Sequence, residues 1–201
     1  MSNSPRNLKI VIINGSVRPA NYTSMASALV ADELRQQEVS VTVINPAELN
    51  LPLPGLDYSA PGARKLQDAV REATGVILAT PEYHGSISSV TKLVIENLGF
   101  PSVLAGKPVA LLGVAAGAIG AIKSLEQLRG ICAHIGAVAL PLAVSVANVQ
   151  QVFDKDGRCL DANLEKLIRG VAKNLLDYIH QNICPRVTLE RILREGVAAA
   201  V

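Results

Sequence analysis

The chain has 201 residues, 49% of them apolar and 18% charged, with a formal net charge of +2. That length supports one well-buried domain and that composition excludes a disordered chain. So small a charge excludes a strong field toward nucleic acid or an acidic membrane surface, and no apolar stretch reaches the roughly 20 residues that span a bilayer.

Residues 8–13, LKIVII, are β-branched and nearly continuous, which is how a strand buried on both faces reads. From Ser24, apolar Ala26, Leu29, Val30 and Leu34 repeat at helical spacing. Val39, Val41 and Val43 alternate as a second strand. Pro52, Pro54, Gly55 and Pro61 make residues 51–61 a loop. Leu66, Ala69, Val70 and Ala73 form a helix face, residues 75–80 a third buried strand, and Val90, Leu93, Val94 and Leu98 a helix. Residues 107–114 form a fourth strand with Pro108 near its start, where proline is tolerated. Leu125, Leu128, Cys132 and Ile135 give a helix, residues 136–144 a fifth strand interrupted by Pro141, and residues 164–179 a long closing helix. A short amphipathic tail, 189–197, follows Pro185. The expected organisation is a tail at 1–7, one α/β domain over 8–182 and a helical extension over 183–201.

Five alternations of buried strand and helix argue for a parallel sheet with helices on both faces, in the doubly wound order 2-1-3-4-5. A ligand in such a sheet sits beyond the carboxyl ends of the strands, at the switch between strands 1 and 3. That selects the loops 14–24, 80–89 and 113–120.

The first loop reads INGSVRPANYTSMA over residues 13–26. Gly15 lets the chain turn after strand 1. Ser16, Asn21, Thr23 and Ser24 can each donate a hydrogen bond, and Arg18 a charge-assisted one. The helix that follows points unpaired N–H groups and a partial positive charge at the loop. Capping alone needs one such residue; this many donors fit a phosphate. The lysine and second glycine of a Walker loop are missing, and Gly15-Ser16-Val17-Arg18-Pro19-Ala20 fails the GxGxxG turn. What remains suits one terminal phosphate, such as that of flavin mononucleotide.

The second loop reads PEYHGSI over residues 81–87. GSxR…TS after strand 1 with PEYxGSI after strand 3 resembles the NADPH-dependent FMN reductase family, over roughly residues 8–180. The resemblance implies a flavodoxin-like three-layer sandwich, bound FMN, NADPH or NADH as co-substrate, and a homodimer or homotetramer. It implies acceptors such as a quinone, an azo compound, a metal oxyanion or free flavin. Carried over by residue, Ser16, Arg18, Asn21, Thr23 and Ser24 would hold the FMN phosphate. Pro81, Glu82, Tyr83, His84 and Gly85 would wrap the isoalloxazine edge, and Ala115, Ala116 and Gly117 of the third loop would close over its pyrimidine side. The family usually has serine where this chain has Asn21, and asparagine where it has His84. His84 would act through its backbone N–H alone, or its side chain would alter affinity and pH dependence. No nucleophile, general base or metal is needed, because the cofactor carries the chemistry. Backbone N–H groups can stabilise the negative charge of a reduced flavin near N1 and O2, and Gly85 with the Ala115–Gly117 run allows close approach. Glu82 is expected to pair with a basic group or cap the next helix.

A flavodoxin-like electron carrier or a non-catalytic flavin-binding module is the alternative. Such carriers resemble one another in strong negative charge and aromatic rings on both flavin faces, whereas this chain is slightly basic and has no tryptophan. Tyr83, and Tyr58 in the loop after strand 2, are its aromatic candidates. One open face favours a two-electron, ping-pong reductase that passes hydride from NADPH through flavin N5 to its acceptor. Arg64, Lys65 and Arg71 read as a solvated helix face with a secondary option of holding the NADPH 2′-phosphate. Asp154-Lys155-Asp156-Gly157 lacks the rest of a calcium loop and reads as a tight turn. The helix near residues 90–98, apolar nearly all round, suggests a subunit contact. Cys132, Cys159 and Cys184 form no metal or CxxC pattern, and the polar start MSNSPRN lacks an apolar segment behind a basic end, so a cytoplasmic location is expected.

Overall fold

The structure is a computed structural model that describes residues 8–57 and 59–198. Tyr58 and the tail over residues 1–7 lie outside the described residues. The chain runs β1 (Lys9–Asn14), α1 (Tyr22–Gln36), β2 (Ser40–Ile44), a 3₁₀ turn (Pro46–Glu48), α2 (Pro61–Glu72), β3 (Gly75–Tyr83), β4 (Ser86–Ile87), α3 (Ser89–Glu96) and β5 (Pro108–Val114). It continues through α4 (Ile122–His134), β6 (Val138–Ala139), β7 (Val144–Val146), α5 (Val149–Val152), α6 (Ala162–Tyr178), a π-helical turn (Ile179–Ile183) and α7 (Cys184–Ala198).

The sheet runs β2-β1-β3-β5-β6, with β7 also paired to β5. With β6 and β7 taken as one split strand, this is the expected 2-1-3-4-5 order. β6 pairs with Pro108 and Val109, and β7 with Leu112 to Val114. The Leu140 N–H still donates to the Val109 carbonyl at 2.8 Å; the chain then leaves the ladder over residues 141–143, at the Pro141 that the sequence marked as an interruption, since proline cannot donate to a ladder.

β1 shows why its apolar run has no alternation. Ile10 and Ile12 enter one core with Val30, Leu34, Ile168 and Leu175 of α1 and α6. Val11 and Ile13 enter the other with Leu66, Val70, Val94 and Leu128 of α2, α3 and α4. Both faces are thus buried over residues 10–13, and each of those four positions is apolar.

Three boundaries differ from the sequence reading. β3 extends to Tyr83, so Pro81, Glu82 and Tyr83 lie in a strand rather than a loop. α1 begins at Tyr22, two residues before the expected Ser24, because Asn21 is its N-cap: Asn21 Oδ1 accepts from the Ser24 N–H at 2.8 Å. The last helix continues through Pro185. The π-turn just upstream, in which the Cys184 N–H bonds the Ile179 carbonyl, widens the ladder where proline would clash with it.

Candidate functional site

The carboxyl ends of β1, β3 and β5 bring the three expected loops to one edge of the sheet. A buried hydroxyl chain joins the first two. Ser88 Oγ, the N-cap of α3, donates to the Gly15 carbonyl and contacts Thr91 Oγ1 at 2.9 Å. Thr91 Oγ1 donates to Thr80 Oγ1 at 2.9 Å, and Thr80 Oγ1 to the Pro81 carbonyl at 2.9 Å. Gly15 is required by crowding here: a Cβ would stand 2.0 Å from Thr91 Oγ1 and 2.8 Å from the Ala79 carbonyl oxygen.

In the first loop, the backbone N–H groups of Val17, Ala20, Asn21, Tyr22 and Thr23 find no acceptor among the described residues. Unpaired N–H groups at the start of a 15-residue helix make an anion seat. The side chains are less uniform than their hydroxyl count suggests. Asn21 is spent on the loop itself, capping α1 and donating from Nδ2 to the Arg18 carbonyl at 2.7 Å. Thr23 is buried at 1% exposure on the core side of α1, Ser16 is buried beneath the loop, and Ser24 is half-buried at its rim. The exposed Arg18 guanidinium lies 4.9 Å from the centre of the Tyr83 ring, a cation–π contact across the first two loops.

Tyr83 and Ser86 pair across the β3–β4 hairpin, whose two-residue turn is His84-Gly85. Both have positive φ, 53° and 71°, the signature of a type I′ turn. This gives a conformational reason for the asparagine usual at position 84, and histidine is also among the residue types enriched there. The His84 side chain is exposed. Glu82 caps a helix, though not the next one: its Oε2 accepts the Ser124 N–H at 3.0 Å in the first turn of α4.

In the third loop, carbonyls are pinned by the segment that follows β7. Ala115 O accepts from the Val149 N–H at 3.0 Å, Ala116 O from Gln150 Nε2 at 3.1 Å and Gly117 O from the Asn148 N–H at 3.2 Å. A trans peptide sets its N–H opposite its C=O, so the N–H groups of Ala116, Gly117 and Ala118 point away from that segment. They find no acceptor among the described residues, nor does that of Ile119. A Cβ at Gly117 would meet nothing within 4 Å.

Three residues escaped the sequence reading. Asn45, after β2, and Lys155, in the 154–158 turn, line a cavity of about 640 Å³ beside Arg18, Asn21 and Ser24. Lys123, in the first turn of α4, lies over Gly85. The Asp154 turn is the tight one expected: Asp154 Oδ1 accepts the N–H groups of Asp156 and Arg158 at 2.9 and 2.8 Å.

Comparison with known proteins places the chain in a family. A family model for NADPH-dependent FMN reductase matches residues 8–151. This chain belongs to that family. An NADPH azoreductase of Bacillus sp. (strain OY1-2) is 31% identical over 172 residues, 86% of this chain and 93% of its own length. A 2-hydroxy-1,4-benzoquinone reductase of Burkholderia sp. is 31% identical over 139 residues, 66% of this chain and 74% of its own length. Among solved structures, the flavoenzyme NAD(P)H:(acceptor) oxidoreductase FerB from Paracoccus denitrificans aligns with a TM-score of 0.73 at 22% identity, covering 87% of this chain and 98% of its own. The fold is flavodoxin-like, and the protein is an oxidoreductase of the FMN- and NADPH-dependent kind.

The residues present fit that cofactor. One row of free N–H groups at a helix start suits its phosphate, and a second row beside the empty space at Gly117 suits the carbonyl edge of its ring.

Proposed function

We propose that this protein passes hydride from NADPH to quinone or azo acceptors in a ping-pong cycle, with both substrates using the same open face in turn. The observation that carries the reading is the pair of backbone N–H rows without an acceptor among the described residues, at Val17 and residues 20–23 and at residues 116–119, on one edge of the sheet.

FMN supplies the two-electron redox chemistry when bound. The first loop binds phosphate through its N–H groups, with Ser16 and Ser24 hydroxyls and the Arg18 guanidinium in support. The hairpin Glu82–Gly85 borders the ring, its position fixed by the I′ turn and by the Glu82 link to α4. The third loop offers N–H groups to the pyrimidine carbonyls, where negative charge gathers on reduction. Exposed Arg64 and Lys65 on α2 stay available to a 2′-phosphate, while Arg71 is paired with Asp68.

The relatives' names support the acceptor class: one is an azoreductase and another a hydroxybenzoquinone reductase. The groove between α3 and α4, about 1050 Å³ and lined in part by Pro54, Ile95, Phe100, Ile131 and Ile135, supports assembly with a second copy. Phe100 stands 99% exposed there, a cost that a second copy would remove; a homodimer or homotetramer is the proposed state. Cysteines that form no CxxC or metal-ligand pattern suit a reducing cytoplasm.

The test is spectroscopic. Purified protein should carry yellow flavin absorbance that NADPH bleaches and benzoquinone restores, with parallel double-reciprocal lines. Colourless protein that also fails to bind added FMN would end the reading.

A further inference from the structure

Lys123 occupies a position that helix physics disfavours. It is in the first turn of α4, where the macrodipole is positive and acidic residues are preferred; that turn holds none. The one carboxylate at this helix end, Glu82, comes from β3 and is engaged with the Ser124 N–H. The Lys123 ammonium makes no hydrogen bond or ion pair with any described residue. Its stem instead crosses the hairpin: Cδ and Nζ lie 3.4 and 3.9 Å from where a Cβ on Gly85 would stand. An exposed cation, unpaired among the described residues, therefore lies over the turn that borders the proposed flavin ring. Beside it, Ile119 and Ile122 stand 76% and 48% exposed. A residue that breaks a local rule without a structural return is expected at functional sites.

We propose that Lys123 is the specificity-determining cation for the electron acceptor, favouring aromatic acceptors with a negative substituent over neutral ones. This rests on the reductase reading above. The chemistry it would recognise is a sulfonated quinone or azo compound, or a hydroxyquinone in its anionic form. The ring of such an acceptor would lie against Ile119 and Ile122 while its anionic group meets the ammonium, Glu82 already occupying the start of α4. No proton or electron passes through Lys123; its role is Coulombic and sits on the acceptor side.

The experiment compares kcat/KM for a sulfonated naphthoquinone and for the unsubstituted one, using FMN-loaded wild type, Lys123→Gln and Lys123→Arg. The sulfonated-to-neutral ratio should fall about fivefold in Lys123→Gln, the upper range for one exposed ion pair, and hold in Lys123→Arg. Added salt should erode the wild-type ratio. A redox-inert naphthalene disulfonate should bind oxidised wild type more tightly than Lys123→Gln in a titration. The Tm of Lys123→Gln should equal or exceed that of wild type, because a misplaced charge has been removed; a merely structural lysine would lower it. An unchanged ratio, equal losses on both quinones, or a lowered Tm with unaltered disulfonate binding would overturn the proposal while leaving the reductase reading intact. Failure of wild type to turn over either quinone would bring down both.

Discussion

The Arg18 guanidinium lies over the Tyr83 ring, 4.9 Å from its centre. The contact links the loop after β1 to the hairpin after β3, and so joins the proposed phosphate seat to the proposed ring border. It also places Arg18 at the rim with its charge unpaired among the described residues, ready for an anion. Arg18→Ala should weaken FMN binding by about 1.5 to 3 kcal/mol, the range for hydrogen bonds to a charged group. Arg18→Lys should recover only part of that, since an ammonium cannot match the planar fork or stack equally well. Fluorescence titration of apoprotein with FMN measures both.

His84 and Gly85 form a turn that demands positive φ at both positions. His84→Asn should therefore keep or slightly raise stability and leave FMN affinity and the pH profile of turnover as they are. His84→Val should cost about 1 to 2 kcal/mol, because a β-branched residue is strained in the left-handed region. Thermal melts of the two variants separate this backbone role from a side-chain contact, which would make His84→Asn alter the pH profile.

The split between what was legible and what was not follows from the range of each interaction. The apolar run of β1 and the break at Pro141 are local signals, and both landed where the sequence put them. The start of α1 is also local, but a shift of two residues changes which groups face the loop. With Asn21 as N-cap, Thr23 is buried, and the proposed phosphate seat offers mainly backbone N–H groups rather than side-chain hydroxyls. The Glu82 cap spans 42 residues of sequence, and Lys123 meets Gly85 only because β4 packs on α4. Period and spacing carry no trace of such contacts.

Glu82 caps the start of α4 by accepting the Ser124 N–H. Glu82→Ala should destabilise the fold by about 1 kcal/mol, the usual cost of losing a helix cap. Glu82→Gln, which keeps an acceptor oxygen at the Ser124 N–H, should lose less. Denaturant midpoints read the difference. A collapse of turnover in Glu82→Gln with stability preserved would instead make the carboxylate a participant in the reaction.

Cys132 is fully buried among the side chains of the second core, and burial pushes its thiol up to about 11. A thiol whose folded value lies above its unfolded one stays neutral while the unfolded chain ionises. Its stabilising contribution is therefore complete below about pH 9 and is lost as pH rises toward 11. At neutral pH the native protein should expose Cys159 and Cys184 to a thiol reagent, with Cys132 reacting only after unfolding. Mass spectrometry of the labelled peptides identifies the order; early labelling of Cys132 would contradict its placement.

Two glycines of the third loop offer the sharpest separation of fold from ligand. Gly120 has φ of 76°, and a Cβ there would stand 2.4 Å from Ser145 Oγ. That oxygen accepts the Ala121 N–H at 2.8 Å just before α4, so Gly120→Ala should unseat it and destabilise the protein by more than about 1 kcal/mol. Gly117 has ordinary φ and open space where its Cβ would go. Gly117→Ala should leave the melting temperature of the apoprotein within error of wild type. If the flavin ring fills that space, the same methyl will meet it, and FMN affinity should fall severalfold while stability does not. Unaltered FMN affinity in Gly117→Ala would move the ring away from this loop and leave its free N–H row without a ligand.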